Sequence, residues 1–207
     1  MKSITSLVVG IFVLFGLSWL GFVAFPYITF AELKPDRDQV TNELSPPGVP
    51  GVAQQGSHVF AANGCVYCHS QFARDKAEGG DIDRQWAKRR TVARDYMNDR
   101  QVFLGISRLG PDLTNVGVRQ KDAQWYYQLL YDPQANNPNS NMPAYRWLFR
   151  EQKIAGQPAN NALKLQGAEK PKPGYEIVPT AEAQSLVDYL LSLKRDYNLP
   201  EAPEPKE

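Results

Sequence analysis

From Ser3 to Ala31 the chain reads SITSLVVGIFVLFGLSWLGFVAFPYITFA, 29 residues without a charge. In hydrocarbon every backbone polar group must be satisfied within the segment, and about 20 apolar residues suffice for a helix to cross. The run therefore predicts one N-terminal transmembrane helix, with residues 1–31 as the anchor. Trp19, Phe22, Phe25, Tyr27 and Phe30 crowd its C-terminal half, as interfacial aromatic belts do. Pro26 is expected to end the regular helix. A cleaved signal peptide is the competing reading. Its apolar core runs about 7–15 residues before a small-x-small site, and no such site directly follows a core of that length. Lys2 and the N-terminal amine favour a cytoplasmic start, leaving residues 32–207 on the far side of the membrane.

Residues 32–55 turn polar and then Pro/Gly-rich, which reads as a linker or arm. A soluble domain is expected over 56–197, opening on a short helix that carries Val59 and Phe60 inward. The chain holds 23 basic and 22 acidic residues, so nothing in its balance points to nucleic acid. Residues 72–108 concentrate nine Lys/Arg and six Asp/Glu and read as a solvated insertion; a docking surface is the sharper alternative. Asp122 is placed to cap a helix over 123–131. Thr180 is placed to cap a last helix with Ala183, Leu186, Val187, Leu190 and Leu193 on one face. Lys194 and Arg195 would then meet its C-terminal dipole. Residues 198–207 read as a disordered tail.

Both cysteines and one of the two histidines fall in GCVYCHS, residues 64–70. Structural zinc needs four ligands, and the thiolates stop at two. A redox dithiol belongs on a βαβ fold, for which the chain offers few strands. A plain disulfide across two residues closes little loop and would stabilise weakly. The third chemistry is covalent haem: in Cys-x-x-Cys-His the thiols form thioethers and the adjacent imidazole reaches the iron.

Haem demands a sixth ligand or an open position, and soft, neutral methionine suits pure electron transfer. Met142 lies 73 residues beyond His69 in a proline-braced loop, with Met97 and His58 as the other candidates. His69 also needs an acceptor for its Nδ1–H, and the carbonyl of Pro111 in GPDL is the candidate.

GxxxF-x4-CxxCH, GPDL, a late MP loop and a closing LVDYLLSL helix, in that order, resemble the small class I cytochrome c fold. The overall expectation is mostly α: one transmembrane helix, then a cytochrome c-like domain with long loops and an insertion. GCVYCHSQ, RLGPDLTNVGVR, LYDP and NMPAYRWLF, all after one anchor, further resemble the membrane-anchored mono-haem subunit of cbb3-type cytochrome c oxidases. FARDK after CHSQ departs from that pattern, as do the 72–108 and 151–178 stretches.

The resemblance implies one covalent haem c on Cys65 and Cys68, with His69 and Met142 as axial ligands and Pro111 behind His69. It implies an electron-transfer subunit without a catalytic site of its own. That subunit takes electrons from a donor c-type cytochrome and passes them to haem b of a catalytic haem–copper subunit. It would lie in a bacterial inner membrane, single-pass, with the haem domain on the periplasmic side. Two alternatives share parts of this outline: the mono-haem subunit of nitric oxide reductase, and a haem sensor or enzyme with an open iron.

Overall fold

The computed structural model describes residues 3–37, 42–105 and 107–205. Lys2, used above for orientation, lies outside them, as do residues 206–207 of the expected tail. Among the described residues the chain is mostly helical, with one long apolar N-terminal helix, a cytochrome-like domain and two small antiparallel sheets, the first of them in the arm before that domain.

Helix α1 spans Ile4–Phe30 and buries none of its side chains within the chain. Pro26 does not end it. A proline inside a helix lacks an N–H and crowds the carbonyl four residues back. Here the preceding turn widens into a π segment over Leu20–Ala24, and Phe25 N–H reaches Leu20 O, five residues back. That wider turn absorbs the proline, and the helix runs on to Phe30.

After α1, strands β1 (Asp36–Arg37) and β2 (Leu44–Ser45) pair antiparallel. Helix α2 follows over Gly51–Ala62, so the linker boundary expected at 55/56 falls inside a helix. It buries Ala53, Gly56 and Phe60, three and four residues apart. Helix α3 covers Ala123–Tyr131, with the Asp122 carboxylate accepting from Gln124 N at 2.9 Å. Strands β3 (Phe149–Lys153) and β4 (Tyr175–Pro179) form a hairpin in register Phe149↔Pro179 through Lys153↔Tyr175. Helix α4 (Ala181–Ser192) starts at Thr180, whose hydroxyl accepts from Ala183 N.

The core is organised by α2 crossing α4. A Cβ built on Gly56 would stand 1.8 Å from the Ser185 carbonyl oxygen, so only a glycine lets these backbones meet. Around the crossing Phe60, Phe103 and Tyr189 contact edge-on or tilted, with centroids 5.3, 5.6 and 6.4 Å apart.

The 72–108 stretch is not merely solvated. Asp81, Arg89 and Asp95 are buried. Arg89 grips Asp95 with two hydrogen bonds of 2.8 and 3.0 Å and donates to Tyr197 O. Asp81 receives Arg74 and Arg108. Buried charges persist only when paired and hydrogen-bonded, so this insertion is a second, polar core. Arg195, expected at the α4 dipole, instead pairs with Asp99.

The insertion also holds both ends of the domain. Asn98 Nδ2 donates to Pro46 O and Pro47 O, and Arg94 donates to Lys34 O. The described part of the tail is packed, not disordered: Leu199 and Ala202 are fully buried, and Glu201 accepts from Arg94.

Candidate cofactor site

Helix α2 ends at Asn63, and Gly64 takes φ +71°, a left-handed conformation that turns the chain out of the helix. The next residues close a tight 3-10 turn in which Cys65 O accepts from Cys68 N at 3.2 Å and His69 N at 2.9 Å. Cys65, Cys68 and His69 therefore leave one short turn together, with the two sulfurs unlinked. Burial pushes the Cys65 thiol up to about 11, partly offset by a hydrogen bond from the Tyr145 hydroxyl. A thiol held protonated lacks the lowered pKa of a redox-active dithiol.

The His69 ring is fixed by two neighbours, Pro111 and Gly110. Its Nδ1 lies 2.8 Å from Pro111 O. A carbonyl only accepts, so Nδ1 carries the proton and Nε2 keeps its lone pair. Burial lowers the imidazole pKa, with the bond to Pro111 O opposing it, which keeps the ring neutral at pH 7. Gly110 N donates to Cys68 O at 3.0 Å, and a Cβ on Gly110 would sit 2.4 Å from His69 Cε1. The loop can press on the ring only because residue 110 has no side chain.

Asp112 staples these two segments together. Fully buried, it accepts from Ser70 Oγ at 2.6 Å and from the N–H groups of Phe72 and Thr114, both at 2.8 Å. Arg108 stands 3.4 Å away, and Arg119 donates to the Asp112 carbonyl. These two arginines thus brace the GPDL turn. Buried Gln71 donates to and accepts from the Tyr189 hydroxyl, tying the motif to α4. Ser70, Gln71, Asp112 and Tyr145 were missed as site residues in the sequence. For Ser70, Gln71 and Asp112 the signal available was polar residues inside CHSQ and GPDL, segments that must bury to hold the ring; Tyr145 carried no such signal.

Met142 sits in the loop before the β-hairpin, half-buried against the core. Its N–H donates to Ser140 Oγ, and its carbonyl accepts from Gln134 Nε2 at 3.2 Å. Met97 lies in the insertion beside the residues that hold the arm, and His58 is exposed on α2. Trp147 donates from Nε1 to Asn63 Oδ1 at 2.9 Å.

Residues 9–193 match the family described as cytochrome C oxidase, mono-heme subunit/FixO. The chain belongs to that family. Among curated proteins no match was found. A FixO-family chain is a mono-haem subunit of a cytochrome c oxidase, a haem protein of electron transport that associates with the oxidase complex. With α1 long and apolar enough to cross a bilayer, it is a membrane protein. The site fits the group the family implies: two unlinked thiols and a neutral imidazole leave one turn, and that imidazole has its second nitrogen free. Among the described residues no cluster of His, Cys, Asp and Glu offers a protein-only metal site.

Proposed function

We propose that this FixO-family chain is the electron-relay subunit of a cbb3-type oxidase. Cys65 and Cys68 attach one haem c covalently, His69 and Met142 are its axial ligands, and Pro111 orients His69. Electrons pass from a donor c-type cytochrome to haem b of the catalytic haem–copper subunit. Residues 1–31 anchor the chain in a bacterial inner membrane, and the remainder lies on the periplasmic side. The haem, when bound, supplies a one-electron iron couple.

The observation that carries this reading is the His69–Pro111 hydrogen bond with Gly110 against the ring. It sets tautomer and orientation from the backbone, as outer partners of iron-binding imidazoles do. The protein's part is to bind and hold. With both His69 and Met142 bound to it, the iron would have no position left for substrate, which would suit relay and not oxygen chemistry.

Haem staining on a denaturing gel tests the attachment: stain migrates with the wild-type chain and is lost in Cys65→Ser/Cys68→Ser. The optical band of methionine-ligated ferric haem disappears in Met142→Ala and survives in Met97→Ala. Its survival in Met142→Ala would sink the ligand assignment.

A further inference from the structure

The chain uses residues 154–174 to connect β3 to β4. Antiparallel strands can close in about two to five residues, and connections beyond about 12–15 in a compact domain are functional or disordered. This one is pinned along its length. Ile154 N donates to Gly174 O at 2.9 Å, Leu163 N to Ile177 O at 2.8 Å, and Gln128 Nε2 to Lys164 O at 3.2 Å. Ala159 N donates to one oxygen of the Glu176 carboxylate at 2.8 Å, and Gln152 Nε2 donates to the other. Although held this way, the connection leaves a cleft of about 780 Å³ instead of packing shut. Small-molecule sites have volumes of roughly 300–1,000 Å³.

Lys170-Pro171-Lys172-Pro173 forms one wall of the cleft. A residue before proline is driven to extended backbone, and proline fixes its own φ. Lys170 accordingly lies at φ −64°, ψ 127°, and Lys172 O accepts from Tyr175 N at 3.0 Å, which closes the strip. A stiff backbone thus carries both lysines, and binding need not order it. Lys164 lines the same cleft from the 159–165 segment. Among the described residues no carboxylate pairs with any of these three lysines. Glu176 is the one acid among the described lining residues, and both its oxygens are already committed. Tyr175, 42% exposed, adds an aromatic face.

We infer that this cleft binds a nucleoside diphosphate, with its phosphates on Lys164, Lys170 and Lys172 and its flat ring against Tyr175. Three ammonium groups match the roughly three negative charges of a diphosphate ester, and lysine meets phosphate as a point charge. The ligand is a free solute and not a lipid headgroup. The arm from the membrane helix meets the C-terminal end of α4, where Pro46 and Pro47 line a small cavity with Ser192 and Arg195. Strand β4, which lines the cleft, enters α4 at its N-terminal end through Thr180. The 12 residues of α4 separate these ends by about 18 Å. The site is therefore remote from the anchor. It is independent of the proposed haem attachment and adds a ligand to the relay.

The test is equilibrium dialysis of the detergent-solubilised full chain against radiolabelled ADP, with pyrophosphate and adenosine as competitors. Wild type retains one ADP per chain; pyrophosphate displaces it, and adenosine does so far less well. Lys170→Ala and Lys172→Ala each weaken ADP about tenfold, the size of one lost charge-assisted hydrogen bond. Lys170→Arg keeps the charge and stays within about threefold of wild type. Tyr175→Ala weakens ADP severalfold and leaves competition by pyrophosphate unchanged. Lys76→Ala, at an exposed lysine of the 72–108 insertion, binds as wild type does. A wild-type chain that retains no ADP overturns the inference, as does a loss in Lys76→Ala equal to that in Lys170→Ala. Displacement of ADP by phosphatidylglycerol micelles but not by pyrophosphate overturns the free solute as ligand.

Discussion

Gly56→Ala tests whether the α2–α4 crossing holds the domain together. The added Cβ would stand 1.8 Å from Ser185 O, 2.5 Å from Ser185 C and 2.7 Å from Tyr189 Cβ. The first two are backbone atoms inside α4 and have no rotamer by which to escape. Ordinary contact begins at 3.4 Å, so the helices must part by the difference, about 1.6 Å. Gaps of 0.5–1 Å already forfeit roughly a quarter to a half of a dispersion contact, and the Phe60–Tyr189 pair lies at this crossing. Overpacking costs about 1–3 kcal/mol, and a backbone collision belongs at the upper end. Against this, alanine gains about 1 kcal/mol over glycine in a helix interior. The net is about 2 kcal/mol of destabilisation, or a fall in Tm of roughly 4–8 °C for a chain of this size. Gly51→Ala is the control, because nothing lies within 4 Å of its Cβ; its effect should stay within about 0.5 kcal/mol. Thermal melts of the detergent-solubilised chain, followed by far-UV circular dichroism, compare the two. A Gly56→Ala protein melting within a degree of wild type, or a Gly51→Ala protein falling equally, would refute the tight crossing.

Other consequences are as direct. Gly110→Ala forces a methyl into the His69 ring, so the haem-stained fraction of the chain should drop severalfold while expression of the polypeptide persists. Burial pushes the Asp81 carboxyl up, but hydrogen bonds from Arg108 and Arg74 outweigh it and hold it below the usual carboxylate range. A depressed group stabilises the fold above its unfolded pKa, near 3.9, and that contribution is lost as pH falls through the folded value. Urea midpoints should therefore drop on acidification below about pH 4, and less steeply in Asp81→Asn; parallel slopes would contradict the pairing. Deleting residues 199–207 removes the fully buried Leu199 and Ala202 and the Glu201–Arg94 pair. Leu199 alone contributes about 1.5–3 kcal/mol, so the truncated chain should melt roughly 3–12 °C lower.

Much of the helical frame was legible because it depends on local rules. An uncharged apolar run, an Asp122 cap and a Thr180 cap each announce a helix without reference to distant residues. What could not be read were charges whose partners lie far along the chain. Arg89 and Asp95 look like a surface run until Tyr197 arrives from 108 residues away to accept from the arginine. Arg94 and Glu201, 107 residues apart, likewise turn an apparent tail into a packed strap. Pro26 failed as a stop signal for a subtler reason: one widened turn satisfies the backbone that a proline would otherwise break. The short β3–β4 pair has no strong alternation, and Glu176 on β4 accepts from Gln152 Nε2 and from Ala159 N, a loop residue 17 positions away.

The site shows the same division, and it explains why Asp112 matters more than its place in GPDL suggests. An imidazole that must keep one nitrogen free gains most when its other nitrogen is committed beforehand. Pro111 makes that commitment, but its carbonyl is only as fixed as the turn that carries it. Asp112, the next residue, ties that turn to Ser70 and Phe72, one and three residues after the imidazole in the chain. The two halves of the site, 42 residues apart, are thereby joined through a buried carboxylate that does not touch the ring. Ordering is completed during folding, so binding a group at Nε2 need not include the entropy of arranging the ring. On this reasoning Asp112→Asn should leave His69 and Pro111 in place chemically while loosening the distance between them. The expected signature is a broadened, shifted imidazole Nδ1–H resonance in NMR, with Cys65 and Cys68 untouched. An unaltered resonance in a folded Asp112→Asn protein would show that Pro111 is held without the carboxylate.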